Sequence, residues 1–369
     1  MNLVRKLSAV TTACILIGAL GLEAQAQEST RGLSDAGKAK LRTIVEAANM
    51  EGRLSLVLGE GSLGGANSTL AKQFNDYYGS NVDIRFTPGP AMPNVAATVI
   101  QQNQAKRPAL TDVYTGYANH ITTLLLANAA EKVDWSGWAN NLQSPELIHA
   151  DGAGIPIMSS TPGIAYNSDV IKGNDIPQNF VDLLNPKFKG RVVTTPYASS
   201  FDRLATNELW GKARTMDFAR QLSKQVGGLM RCNEVDRLAS GEFDIFALTC
   251  SQSNALRPNA KSAPIGFVLA KDAPIVMYLY HAIPTNSAHP NVAKLWVNFV
   301  LSKGAQTEIY ENESQDLHLL EGSRTGATVK DMEAKGTKFL MVDINFYKTH
   351  NAKEMDTDLQ EIQQILRGD

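Results

Sequence analysis

The chain has 369 residues, of which 43% are hydrophobic and 20% charged, and its formal net charge is −2. That length exceeds what one core supports, because single cores stop growing near about 250–300 residues, so two units are expected. A nearly balanced charge points to neither nucleic acid nor an anionic membrane surface as a partner.

Taken in chain order, the first feature is a basic pair, Arg5 and Lys6, ahead of the apolar run LSAVTTACILIGALGL and an AQA step that ends at Ala26. This order reads as a cleaved secretory signal, since the run is shorter than the ~20 residues that span a bilayer. Cys14 lacks the preceding leucine of a lipoprotein signal. Residues 1–26 are therefore expected to be removed and the mature chain to begin at Gln27 in the periplasm. In that oxidising compartment Cys232 and Cys250, 18 positions apart, can remain joined. A disulfide closing so short a loop contributes roughly 3 kcal/mol in the chain-entropy model. Pairing is expected over two separately buried thiols.

The stretch DAGKAKLRTIVEAANMEG spaces its apolar residues as a helix and stops at Gly52. RLSLVL then reads as a buried strand running into the glycine-rich turn GEGSLGG. Next comes a helix opened by Asn67 or Ser68 and closed by Gly79. The strand NVDIRF, a helix over residues 94–106 and the strand LTDVYTG follow. Alternating strands and helices predict a mostly parallel sheet covered on both faces, with ligands at the carboxyl ends of the strands. A second alternating series starts after GIPIMSSTPGIAYNSDVI. It contains KGRVVTTPYASSFDRLATNELWG, helices over residues 215–226 and 234–240, and the strand EFDIFALTC. From Ala273 the pattern becomes a long extended segment, then a helix whose start is marked by His289 and Pro290, and finally a helical tail.

The segments GIAYNSDVI, IPQNFVDLLNPKFKGRVV, LASGEFDI and HPNVAKLWVNFVLSKGAQTEIYE, in this order, resemble the periplasmic substrate-binding proteins of ABC importers. The likeness is to the type 2 group that includes ferric-iron, polyamine and thiamine binders. It implies an α/β fold of two lobes joined by two hinge-crossing strands, TPGIAYN and PIVMYLYHAIP, that close over a solute. On this basis residues 27–158 form the first part of lobe 1, residues 159–281 the crossings and lobe 2, and residues 282–369 the return part of lobe 1 with a C-terminal helical segment. The resemblance also implies a monomer that hands its solute to an inner-membrane permease, with no cofactor and no catalysis.

Within that frame Tyr197, Ser199 and Ser200 would lie at the carboxyl end of a second-lobe strand, where helix-start N–H groups attract an anion and the hydroxyls add donors. Serine also caps helices for purely structural reasons, so a capping role for Ser199 or Ser200 stands beside ligand contact. Gly61 and Ser62 would hold the equivalent place in the first lobe, where glycine lets backbone approach a ligand closely. Their loop lacks the lysine of a phosphate loop, and Glu60 breaks the pattern of a nucleophile elbow around Ser62. Tyr114 and Tyr117 are expected to line the cleft with ring faces and hydroxyls, with His120 close behind. Tyr280 shares a strand face with Tyr278 and serves either the cleft or packing. Ser251 and Ser253, just after Cys250, are further ligand candidates.

The expected ligand is a small polar organic solute with an anionic group; ferric iron is the alternative. Iron binders of the group use adjacent phenolates, because hard oxygen donors suit a hard cation. Here the adjacent pair, Tyr77 and Tyr78, falls at a first-lobe helix end, where packing explains it, and iron would have to draw on donors such as Tyr310. A secreted hydrolase or transferase is the reading from another class. It needs a nucleophile with a base and an orienting group, and no spacing in the chain marks one.

Overall fold

The computed structural model describes residues 28–58, 63, 66–257 and 262–368; the signal segment lies outside them. The chain divides into two compact units. The first holds the described residues up to Gly116, then Thr123–Ile155 and His281–Glu308; the second holds Tyr117–Thr122, Pro156–Tyr280 and the chain from Ile309 onward.

In the first unit the helix Asp35–Glu51 is opened by Ser34, whose hydroxyl accepts from Gly37 N at 3.1 Å, and closed by Gly52 in the left-handed conformation that glycine adopts freely. Strand β1 (Arg53–Leu58) alternates buried and partly exposed residues and pairs in parallel with β2 (Asp83–Pro88). Between them runs the helix Asn67–Tyr78, whose N-cap is Ala66 rather than Asn67 or Ser68, with no capping side chain. The third helix covers Met92–Gln104. The expected strand LTDVYTG shortens to β3 (Tyr114–Tyr117). Its first residues serve β1 through side chains instead: Thr111 Oγ1 accepts from Val57 N at 3.0 Å and Asp112 Oδ2 from Ser55 N at 2.7 Å. Aromatic packing fills this core, with Trp296 5.8 Å from Phe74, 5.9 Å from Phe86 and 5.7 Å from Phe299 between ring centroids. Trp296 sits on the helix Pro290–Phe299, whose first N–H groups, on Asn291 and Val292, donate to the Glu51 carboxylate at 3.0 and 2.9 Å.

Strand β4 (Ile155–Ser160) contains the step into the second unit and ends before Pro162 and Gly163. The expected crossing segment, residues 161–167, therefore starts just past β4 and forms β5 (Ile164–Asn167) inside the second unit. That unit carries a five-stranded sheet in the order β7 (Val226–Leu229), β6 (Val192–Thr194), β8 (Ile245–Phe246), β5, β9 (Ile265–Val268). The strands β6, β7 and β8 run parallel, but β5 is antiparallel to both β8 and β9, so the sheet is mixed rather than mostly parallel. Strand β10 (Ile275–Ala282) is buried along its whole length, contains the step back to the first unit and pairs in parallel with β11 (Leu340–Val342).

The helix expected over residues 215–226 runs from Gly211 to Ser223. Phe218 at its centre meets Trp210 at 5.0 Å and Phe201 at 6.1 Å. The C-terminal helix Ala352–Arg367, placed with lobe 1 on the sequence, packs instead on this second-unit core. It buries Ile362 and Leu366 there, and Asp358 accepts from Lys212 Nζ at 2.6 Å. Cys232 and Cys250 are joined as a disulfide, as expected. Among the described residues no helix is long and apolar enough to cross a membrane.

Candidate functional site

Strand β6 delivers the loop Thr195–Ser200 in an unusual backbone: Ala198 and Ser200 both have left-handed φ, 47° and 64°. Such conformations cost a non-glycine residue about 1–2 kcal/mol and persist where the surroundings impose them. Thr195 Oγ1 holds the turn by accepting from Ser199 N at 2.8 Å. The helix that follows is only four residues, Phe201–Leu204, too short to gather a dipole, and Ser200 makes no capping bond. The structure therefore gives neither serine the helix-capping task, and the anion attraction expected from a helix start is not available. Ser200 Oγ is buried with no hydrogen-bond partner among the described residues.

Of the nine other buried side-chain atoms in that condition among the described residues, two lie close by in the second unit, Arg203 Nε and His120 Nδ1. Arg203 is otherwise tied down, donating to Asp202 Oδ1 at 2.6 Å and to the Tyr347 hydroxyl at 2.8 Å. Burial pulls its pKa down, but Asp202 and Tyr347 overcome that, so the guanidinium stays charged. His120 moves the opposite way: burial, with the Arg203 charge, lowers its pKa to about 4, leaving a neutral ring at pH 7. Tyr117 completes the group. Burial raises the pKa of its phenol, while a hydrogen bond shared with Ser160 and the charges of Arg203 and Arg257 pull it back. Arg257 donates through Nε to Ser253 Oγ at 2.8 Å and pairs through Nη2 with the buried Glu313 at 3.0 Å. All these residues belong to the second unit, because Tyr117–Thr122 is assigned to it.

The remaining sequence-derived residues are distributed differently. Gly61 and Ser62 lie outside the described residues. Tyr114 is fully buried in the first unit and donates its hydroxyl to Met92 O at 3.1 Å, a packing role. Tyr280 is also fully buried, and burial, with Asp343 nearby, raises its phenol pKa. Tyr197 is half exposed; its hydroxyl accepts from Cys232 N at 3.1 Å and touches Cys250 Sγ at 3.6 Å, so it braces the disulfide. Ser251 gives both its N–H and its hydroxyl to Asn254 Oδ1, at 2.9 and 3.4 Å. Tyr77 and Tyr78 pack in the first-unit core, where the Tyr77 oxygen accepts from Asn140 and Asn141 and Tyr78 donates to Leu295 O. Arg203 and Arg257 had no marker in the sequence; what distinguishes them is partners brought from distant segments.

The described residues also contain a serine–histidine pair, Ser159 Oγ to His318 Nδ1 at 2.7 Å. Its serine is 0% exposed and its histidine 7%, so no substrate carbonyl reaches it. The nearby Asp316 carboxylate is already committed to Ser323 Oγ and to the N–H groups of Arg324 and Thr325.

A family model described as bacterial extracellular solute-binding protein matches residues 116–350. The chain belongs to that family. Its members are non-enzymatic solute-binding proteins of ABC transporters. Solved structures share the fold. A substrate binding protein of the ABC transporter from Agrobacterium tumefaciens superposes with a TM-score of 0.69 at 15% identity, over 85% of this chain and 96% of that one. Iron-bound HitA from Pseudomonas aeruginosa gives 0.58 at 20% identity, over 85% and 97%. The spermidine/putrescine ABC transporter substrate-binding protein PotD from Streptococcus pneumoniae gives 0.62 at 14% identity, over 85% and 98%. No curated protein matches the chain. At these identities the likeness establishes the two-lobe α/β fold of periplasmic binding proteins, and the binding protein's ligand has to be argued from its own residues.

Proposed function

We propose that this binding protein captures a small organic solute with an anionic group at Ser200, Arg203 and His120, in the periplasm after loss of residues 1–26, and delivers it to an ABC permease. The observation that carries the reading is that three of the ten buried side-chain polar atoms without partners among the described residues, Ser200 Oγ, Arg203 Nε and His120 Nδ1, fall in one group, with the Arg203 charge acting on His120. Each unmet buried group costs about 1–3 kcal/mol, and a ligand that bonds to several of them at once removes that cost. Ser200 and Arg203 offer O–H and N–H donors suited to a carboxylate, phosphonate or similar oxyanion. Neutral His120 adds one donor or acceptor for the solute's polar remainder. Tyr117 and Arg257 adjoin the group and would set selectivity.

Ferric iron fits these residues less well. It needs phenolates, whereas burial favours the protonated phenol of Tyr117, and among the described residues no cluster of three or more histidine, cysteine or acidic side chains is placed to hold a metal. Thermal-shift screening of the mature chain against organic carboxylates, phosphonates, ferric iron, polyamines and thiamine tests the reading, because a ligand that binds the native state raises its apparent stability. The expected result is a rise with an organic anion that is lost in Arg203→Met. A rise with ferric iron or a polyamine alone contradicts it.

A further inference from the structure

A cavity of about 650 Å³ lies in the second unit, alongside β9 and the helix Arg324–Ala334. Its size falls within the range of small-molecule sites, about 300–1,000 Å³. One wall is apolar, formed by Leu256, Phe267, Leu269, Val329 and Met332. β9 is an edge strand, paired with β5 on one side, and its residues are only half buried. Leu256 is 36% exposed, one of the few large apolar side chains so open among the described residues. Open apolar surface rimmed by polar groups marks an interaction site.

That rim is cationic. Lys271, Arg324 and Lys335 line the cavity. The acids facing them account for two of the three charges: Glu311 pairs with Arg324 at 2.6 Å and Asp331 with Lys335 at 2.6 Å. Lys271 makes no ion pair among the described residues. The Arg324 guanidinium lies over the Tyr310 ring, 4.5 Å from its centroid, which fixes its orientation at the mouth. The inner wall is held as well, since Gln252 Oε1 accepts from Thr161 N at 2.6 Å and from its hydroxyl at 2.8 Å.

We infer that this cavity is a second binding site, for an amphipathic organic anion whose ring or chain covers Leu256 and Phe267 and whose charge meets Lys271 and Arg324. It shares no residue with the Ser200–Arg203–His120 group, so it stands or falls independently of that reading.

Fluorescence titration of the mature chain with 1-anilinonaphthalene-8-sulfonate, against its uncharged counterpart N-phenyl-1-naphthylamine, tests the proposal. The expected result is saturable binding of the sulfonate at one site, at least about tenfold tighter than the uncharged probe. Lys271→Glu and Leu256→Glu, both at exposed positions, should each weaken it by about tenfold or more with unchanged far-UV circular dichroism. Ser200→Ala should leave it within about twofold. Equal binding of the two probes, sulfonate affinity unchanged in both glutamate variants, loss of binding in Ser200→Ala, or absence of saturable binding would each overturn the inference.

Discussion

Replacing Ser200 by alanine removes one oxygen from a residue that is 2% exposed and whose hydroxyl has no partner among the described residues. The Cβ and the left-handed backbone at φ 64° are kept, so strain is the same in both proteins. In the ligand-free state the substitution deletes an unmet polar group that costs about 1–3 kcal/mol, offset in part by the small void left behind. A gain of about 1 kcal/mol follows, or about 2–4 °C in Tm for a domain of 150–250 residues. Affinity moves the other way. A hydrogen bond to a charged ligand group contributes about 1.5–3 kcal/mol, so Kd for the anionic solute rises about 10- to 150-fold. Calorimetric unfolding of the ligand-free protein and titration with the solute found by screening measure the two quantities separately. A variant that is less stable and binds normally would refute the reasoning, because it would make the Ser200 hydroxyl a structural donor.

Other consequences concern stability and pH. Converting both Cys232 and Cys250 to serine opens a loop with a sequence separation of 18, and a loss of roughly 3 kcal/mol by denaturant unfolding is expected. Asp112→Ala leaves Ser55 N, Ser287 Oγ and His289 N without the carboxylate that now accepts from them and His289 Nδ1 without its 2.9 Å contact; unfolding should show a cost of about 3 kcal/mol, since each buried donor left unmet costs about 1–3 kcal/mol. His318 is held near pKa 4 by burial, with Asp316 pulling it up and Lys330 down, while its ring meets Ser159 and Tyr278. Its folded pKa lies below the ordinary 6.5, so the unfolded chain takes up the proton first. Its contribution is complete above about pH 6.5 and is lost as pH falls toward 4, at up to about 1.4 kcal/mol per unit, and His318→Gln should flatten that part of the stability–pH curve.

The chain announced its local features plainly. Gly52 and Gly79 stop helices, Pro290 starts one, and the apolar run from Ile275 becomes a strand buried throughout, because each of these depends on a few neighbouring residues. The two-lobe fold came instead from the resemblance that the four family segments carry in their order. The site was less legible. Arg203 acquires its meaning from Tyr347, 144 positions away, and Arg257 from Glu313, pairings that no local pattern encodes. One signal was present and unused: Tyr114 and Tyr117 are three positions apart in β3, so a period of two sends them to opposite faces, one into the first-unit core and the other toward Arg203 and Arg257. The C-terminal helix was misplaced because its amphipathic pattern says that it packs, not on what; its partners, Lys212 and the core around Phe218, lie far back in the chain.

Equilibrium dialysis of the mature protein against an organic anion identified by screening, with the solute recovered and weighed against the amount added, goes to the centre of the account. It predicts one solute held per chain and released chemically intact on unfolding. Progressive consumption of the solute, or full retention of binding when Ser200 and Arg203 are both replaced, would contradict it.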